Sequence, residues 1–222
     1  MEQKFYKTYK ITQLKFWQNF WEYYKIHMFL IVLCAALLIV GVRSCANRIT
    51  PDLYITYIGG MELFSSQKTD EFLKDKINDI DSDGENVIVI SMHALAEDEL
   101  LEETVMILNR IDAELIAGDP FILAADDEFI YRFVNMSALQ PITEIAKEFD
   151  VAEENVLRDP NSSEIVAIDI SEMPISEQIG AIKGEKLYIG MKVLPYSKMY
   201  NEKYMTRHNQ TLYAIKALLE NK

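Results

Sequence analysis

At 222 residues, the chain has room for one ordinary domain of roughly 100 to 200 residues plus an appendage, which excludes the two full lobes of a large enzyme. Half of its residues are hydrophobic and the formal net charge is -13; such an acidic balance argues against a nucleic-acid surface, which needs clustered Lys and Arg to neutralise phosphate. Two cysteines and three histidines leave no room for a zinc ribbon or a disulfide framework.

The charge is unevenly placed. Lys4, Lys7, Lys10, Lys15 and Lys25 stand against Glu2 and Glu22 in residues 1–25, and the uncharged run Ile26 to Val42, IHMFLIVLCAALLIVGV, follows. Its 17 residues make about 25 Å of helix, slightly less than the ~30 Å of a bilayer core. The flank makes up the difference: Phe16, Phe20 and Tyr24 recur every four residues, as do Trp17 and Trp21, predicting a helix with rings at headgroup level and lysines that snorkel. A soluble core helix seldom runs this long without a polar face.

Arg43 and Arg48 alone follow the run closely, so the positive-inside rule predicts a cytoplasmic N-terminus and a C-terminal domain outside the cell. A cleaved signal peptide would need a shorter basic region and an Ala-x-Ala type exit. A lipidation site at Cys45 would lack its small apolar neighbour, because Arg43 stands there. The expectation is a single-pass cell-membrane protein with a basic segment at 1–25, a span at 26–42, a linker at 43–50 and an α/β domain at 51–222. Cys34 falls within the span as a packing residue. Cys45 is a free thiol or an intermolecular disulfide, which an oxidising compartment permits.

Without residues 1–48, 15 basic and 33 acidic residues remain, a balance of -18, which favours cation binding and disfavours anionic lipid. PDLYITYIGG, from Pro51, is apolar on both alternating faces, as in a strand covered on both sides. Residues 65–80 predict a helix with Phe72, Leu73, Ile77 and Ile80 on one side, and 86–92 a second strand. The next helix has Glu97, Asp98, Glu99, Glu102 and Glu103 in its first turns, a stripe of Leu101, Val105, Leu108 and Leu115, and Gly118 as its stop. PFILAA predicts a buried strand, and Asp126 the N-cap of a helix carrying Phe129, Ile130 and Phe133. This alternation implies a mostly parallel sheet with right-handed crossovers. Beyond it, a short helix at 142–149, strands at 164–170 and 186–194, and a helix from Asn201 to Leu219 are expected. Its inner face would hold Tyr204, Leu212, Ile215 and Leu219.

Residues 113–145, AELIAGDPFILAADDEFIYRFVNMSALQPITEI, resemble the first lobe of bacterial extracellular solute-binding proteins of ABC importers. Gly118, Ala138, Leu139, Gln140, Pro141 and Ile142 occupy matching positions, with Ser137 in place of the usual glycine. With the first strand, the resemblance covers roughly residues 51–149 and implies a periplasmic-binding-protein-like lobe. The chain as a whole, with its Tyr23-Tyr24-Lys25-Ile26-His27 lead into the span, is similar to small membrane-anchored proteins of anaerobic Gram-positive bacteria. A second lobe of comparable size does not fit into the residues after 150. In such a lobe a ligand lies outside the carboxyl ends of the parallel strands, which makes Gly59, Gly60, His93, Ala125 and Asp126 the candidate ligand-binding rim.

Asp79, Asp81, Asp83, Gly84 and Glu85 copy the opening of a calcium loop, in which alternate oxygens converge and the glycine permits the turn. The loop's position 12 would be Ile90 instead of a bidentate glutamate. Asp79, Asp81, Asp83 and Glu85 are thus half of a motif, a candidate weak Ca2+ site, and no other cofactor is expected. No Gly-x-Ser-x-Gly elbow, Walker loop or HExxH helix occurs, and His208, beside Arg207, is expected on a solvated face. These readings predict a non-catalytic, membrane-anchored binding module for a solute or a membrane-protein partner. The alternative is an assembly component that uses its outer lobe as an interaction platform.

Overall fold

A computed structural model of the chain describes residues 14–46, 50–80, 82–95 and 101–220. The chain divides at residue 49 into a helical unit and an α/β unit. The first unit is the helix α1 (Leu14–Ala46), whose 33 residues are about 50 Å long at 1.5 Å each. It contains the window Tyr24–Gly41, long and apolar enough to cross a membrane and with none of it buried. Lys4, Lys7, Lys10 and Arg48, which set the predicted orientation, lie outside the described residues.

In the second unit, β1 (Leu53–Gly59), α2 (Ser66–Lys74), β2 (Ile88–Ala94), α3 (Leu101–Ala117), β3 (Ile122–Ala125) and α4 (Asp127–Asn135) follow the expected alternation. Then come α5 (Thr143–Glu148), β4 (Val156–Arg158), β5 (Ile165–Asp169), α6 (Ile175–Gln178), β6 (Tyr188–Met191) and α7 (Glu202–Leu219). Glu97, Asp98 and Glu99, expected in the first turn of α3, lie outside the described residues. α2 is shorter than its apolar pattern predicts. Asn86 Nδ2 donates to the carbonyls of Lys74 and Ile77, satisfying the end of the helix from outside, so Ile77 packs into the core from beyond it.

The fold is α/β, but the expectation of a mostly parallel sheet does not hold. The strand order is β2-β1-β3-β6-β5-β4. β1 pairs parallel with β2 and β3, whereas the β3–β6, β6–β5 and β5–β4 pairings are antiparallel. The reason lies in the connections. The first three strands are joined through helices that return the chain to its starting end, whereas β4 and β5 are joined by a turn at 159–164, too short for a parallel crossover. Between β5 and β6 the chain carries only the one-turn helix α6.

Both faces of the sheet are covered, as the unbroken apolar run of β1 requires. Leu53, Ile55 and Tyr57 join a cluster with Leu73 of α2 and Ile215 and Leu218 of α7. Ile58 faces the other way, into a cluster with Ile111 of α3 and Ile130 and Phe133 of α4. A right-handed crossover from β1 to β2 and another running back from β2 past β1 to β3 place α2 and α3 on opposite faces. The order therefore reverses at β1, which sets the candidate rim at its carboxyl end.

Candidate functional site

At that switch point the chain binds itself. Asp126 caps α4 through Oδ1, which accepts from the N–H groups of Glu128 and Phe129, as the sequence predicts for an N-cap. Its Oδ2 accepts from the Gly60 N–H at 2.7 Å. Beneath it the Tyr57 hydroxyl donates to the Met61 carbonyl; burial, with the Asp126 carboxylate adding to it, holds this phenol well above its ordinary pKa. Gly59 is needed here, because a Cβ would come within 2.8 Å of Asp126 Oδ2 and closer still to the Tyr57 ring. Gly59, Gly60 and Asp126 are therefore brought together as expected, but in a closed turn whose carboxylate is already occupied.

The other predicted rim residues part company with them. Ala125 is fully buried, paired with Tyr188 across the sheet. His93 stands opposite Ile58 on the edge strand β2, on the face covered by α3. Its Nε2 is buried without a hydrogen-bond partner, and desolvation, with Arg110 also acting against the cation, lowers its pKa. That describes a packed neutral ring.

In the acidic loop, Asp79 Oδ1 accepts from the N–H groups of Ser82 and Asp83, and Oδ2 from that of Gly84. Asp83 Oδ1 accepts from the Glu85 N–H. These bonds hold a turn in which Ser82 and Gly84 adopt positive φ, 60° and 91°; the calcium-type glycine serves this turn. Asp81 lies outside the described residues. Among the described residues no three His, Cys, Asp or Glu side chains converge as metal ligands.

A polar group absent from the sequence reading is assembled beside the closed turn, where the carboxyl ends of β3 and β5 meet the start of the antiparallel β6. The Tyr188 hydroxyl donates to Asp127 Oδ1 at 3.1 Å and accepts from Lys186 Nζ at 3.1 Å. Lys186 Nζ lies 4.0 Å from Asp169 Oδ2. Asp169 Oδ1 accepts from the Ser171 hydroxyl at 2.6 Å and from its N–H at 3.0 Å. Burial pushes the Tyr188 phenol up to about 12, with Asp127 adding and Lys186 opposing, so it remains a hydroxyl at neutral pH. The hydrogen bond to Tyr188 raises the Lys186 pKa. Asp169 and Tyr188 are buried while the Lys186 ammonium is half exposed. The result is a half-exposed ammonium beside the buried Asp169 carboxylate, joined through the fixed Tyr188 hydroxyl to the exposed carboxylate of Asp127.

No protein-family model, curated protein or solved structure matches the chain. The site must therefore be read from its own chemistry. Lys186 stands two residues before Tyr188, the first residue of β6, a spacing visible in the sequence. Their partners Asp127 and Asp169 follow only from the strand order.

The opposite end of the sheet is held by two basic residues. Lys192 is 1% exposed and donates from Nζ to the carbonyls of Glu114 and Gly118 at 2.7 and 2.8 Å, closing the C-terminus of α3 where a cation suits the helix dipole. The face of α7 around His208, expected to be solvated, is not: Arg207 is buried, 2.5 Å from Asp119. Its neighbour His208 is half-buried, with Nδ1 unpartnered and its pKa lowered by desolvation. Hydropathy periodicity places charged residues outward; here α7 turns the guanidinium inward to meet the Asp119 carboxylate.

Proposed function

We propose that the chain is a single-pass membrane protein presenting a non-catalytic binding module outside the cell, with the rim at the carboxyl edge of its sheet as the recognition surface. One observation carries this reading: Asp127, Lys186, Tyr188 and Asp169 converge there from segments far apart in the sequence. Open α/β sheets bind ligands at this edge. The N-terminal helix supports the anchor, since side chains from Ile26 to Val40 are exposed among the described residues and an apolar helix without a polar face needs an apolar surround. The parallel half of the sheet, with β1 at its centre, agrees with the resemblance to the first lobe of a solute-binding protein.

The rim of this lobe leaves much of a small ligand in water, whereas enclosing pockets cover most of its surface. Recognition here depends on the exposed Asp127 carboxylate and the half-exposed Lys186 ammonium, held in place by the buried Tyr188 hydroxyl and Asp169. A thermal-shift screen of the full chain in detergent against sugars, amino acids, peptides and metal ions tests this. One class should raise the melting temperature of the parent chain and lose at least half of that rise in Lys186→Ala. If no class raises it, while cross-linking in membranes captures a protein neighbour, the chain is an assembly component instead.

A further inference from the structure

The turn that precedes α7 carries the most exposed aromatic side chains of the α/β unit. Tyr196 and Tyr200 are 72% and 80% exposed, and Met199 between them 48%. They are not loose. The Lys198 N–H donates to the Pro195 carbonyl, Met199 N–H to Tyr196 and Asn201 N–H to Lys198. The two rings meet edge to face with centroids 5.7 Å apart and hydroxyl oxygens 3.0 Å apart. Lys198 reaches back to the Gly118 carbonyl at 3.3 Å and lies over the Tyr204 ring at 4.4 Å. The fold thus spends hydrogen bonds on holding two phenols and a thioether in water, where their apolar surface gains nothing.

The place of this turn in the unit suggests what covers it. Thr50 and Pro51, where the chain comes into the α/β unit, line one groove of about 410 Å³ with Glu202, Lys203 and Thr206 at the start of α7. Tyr200 stands two residues before Glu202. The aromatic turn therefore belongs to the end of the unit through which the chain arrives, and three residues, 47–49, separate Thr50 from the last helical residue, Ala46. Tyrosine suits a membrane interface, with its ring among the upper acyl chains and its hydroxyl among headgroups.

We infer that Tyr196, Met199 and Tyr200 form a docking surface for the interfacial layer of the bilayer, an inference that rests on the membrane anchor proposed above. Because the residues from 49 onward carry -18, the attraction comes from the rings and not from anionic lipid, so docking should persist in neutral phosphatidylcholine and at high salt.

The natural tryptophans, Trp17 and Trp21, both lie in α1, so they report on the anchor alone. The full chain is reconstituted in phosphatidylcholine vesicles whose acyl chains are brominated near the headgroup. A W17F/W21F/Y200W chain reports on the turn, and W17F/W21F/Y213W serves as control on the exposed side of α7, about 16 Å further along the helix. The expected result is roughly twofold quenching of the tryptophan at 200, unchanged at 0.5 M salt, with none at 213. Quenching of the parent chain without quenching at 200 overturns the docking inference and leaves the anchor standing. Equal quenching at 200 and 213 also overturns it, because contact would then not be confined to the turn. An unquenched parent chain overturns the anchor and the inference together.

Discussion

Lys192→Ala is expected to lower the stability of the α/β unit by about 3 kcal/mol, within the usual range for emptying a fully buried side-chain site. Two effects add. The side chain is 1% exposed, so truncation leaves a void. It also removes the charged donor held by the Glu114 and Gly118 carbonyls, and hydrogen bonds to charged groups contribute about 1.5 to 3 kcal/mol each. Lys192→Met refills the volume without the donors and should lose less than the alanine variant. Urea unfolding of the full chain in micelles measures both; an alanine variant as stable as the parent would contradict the assigned role.

The same residue fixes the sign of an alkaline dependence. Burial, with Lys198 nearby, pushes Lys192 down to about 8, so the ammonium still predominates at pH 7. Its folded value lies below the unfolded value of about 10.4, and between the two the unfolded chain holds the extra proton. Stability of the parent relative to Lys192→Met therefore rises from pH 8 to 10 and is flat below that window.

Gly59→Ala is the second large effect, expected to cost about 2 to 3 kcal/mol by overpacking. The added methyl would meet the Tyr57 hydroxyl end and Asp126 Oδ2. Neither yields easily: Tyr57 is fully buried with its hydroxyl on the Met61 carbonyl, and Asp126 is held by three backbone N–H groups. The neighbouring Gly60→Ala is the internal comparison, because its Cβ would find nothing nearer than Asp126 Oδ2 at 3.8 Å; it should change stability by less than about 0.5 kcal/mol. Equal losses in the two variants would show that the close packing at Gly59 is not the cause.

Much of the fold is legible in the sequence wherever a local rule decides it. The apolar run at 26–42 falls inside one long helix, Asp126 caps α4, Asn201 caps α7 through its side chain, and the two-sided β1 is the central parallel strand. Long-range pairing is not legible. An apolar strand reads alike in either direction, so β6 between β3 and β5 is invisible until the connections are known. β4, three residues at the sheet edge and only partly buried, carries no periodic signal. The rim shows the same divide. Asp126 and the two glycines are recognisable as turn chemistry, whereas the group around Tyr188 depends on Asp127 and Asp169, 61 and 19 residues away in the sequence. Arg207 was concealed by its charge, since only tertiary structure provides the Asp119 that makes its burial tolerable.

The proposed position of the α/β unit, outside the cell on a membrane-crossing helix, is open to direct labelling. In intact cells expressing the full chain with Cys45→Ser and Glu62→Cys, an impermeant maleimide has one reactive target outside the apolar run, at the exposed position 62 beside the rim. Labelling is expected before lysis and is absent from the Cys45→Ser chain alone; labelling of position 62 only after lysis would contradict an extracellular α/β unit.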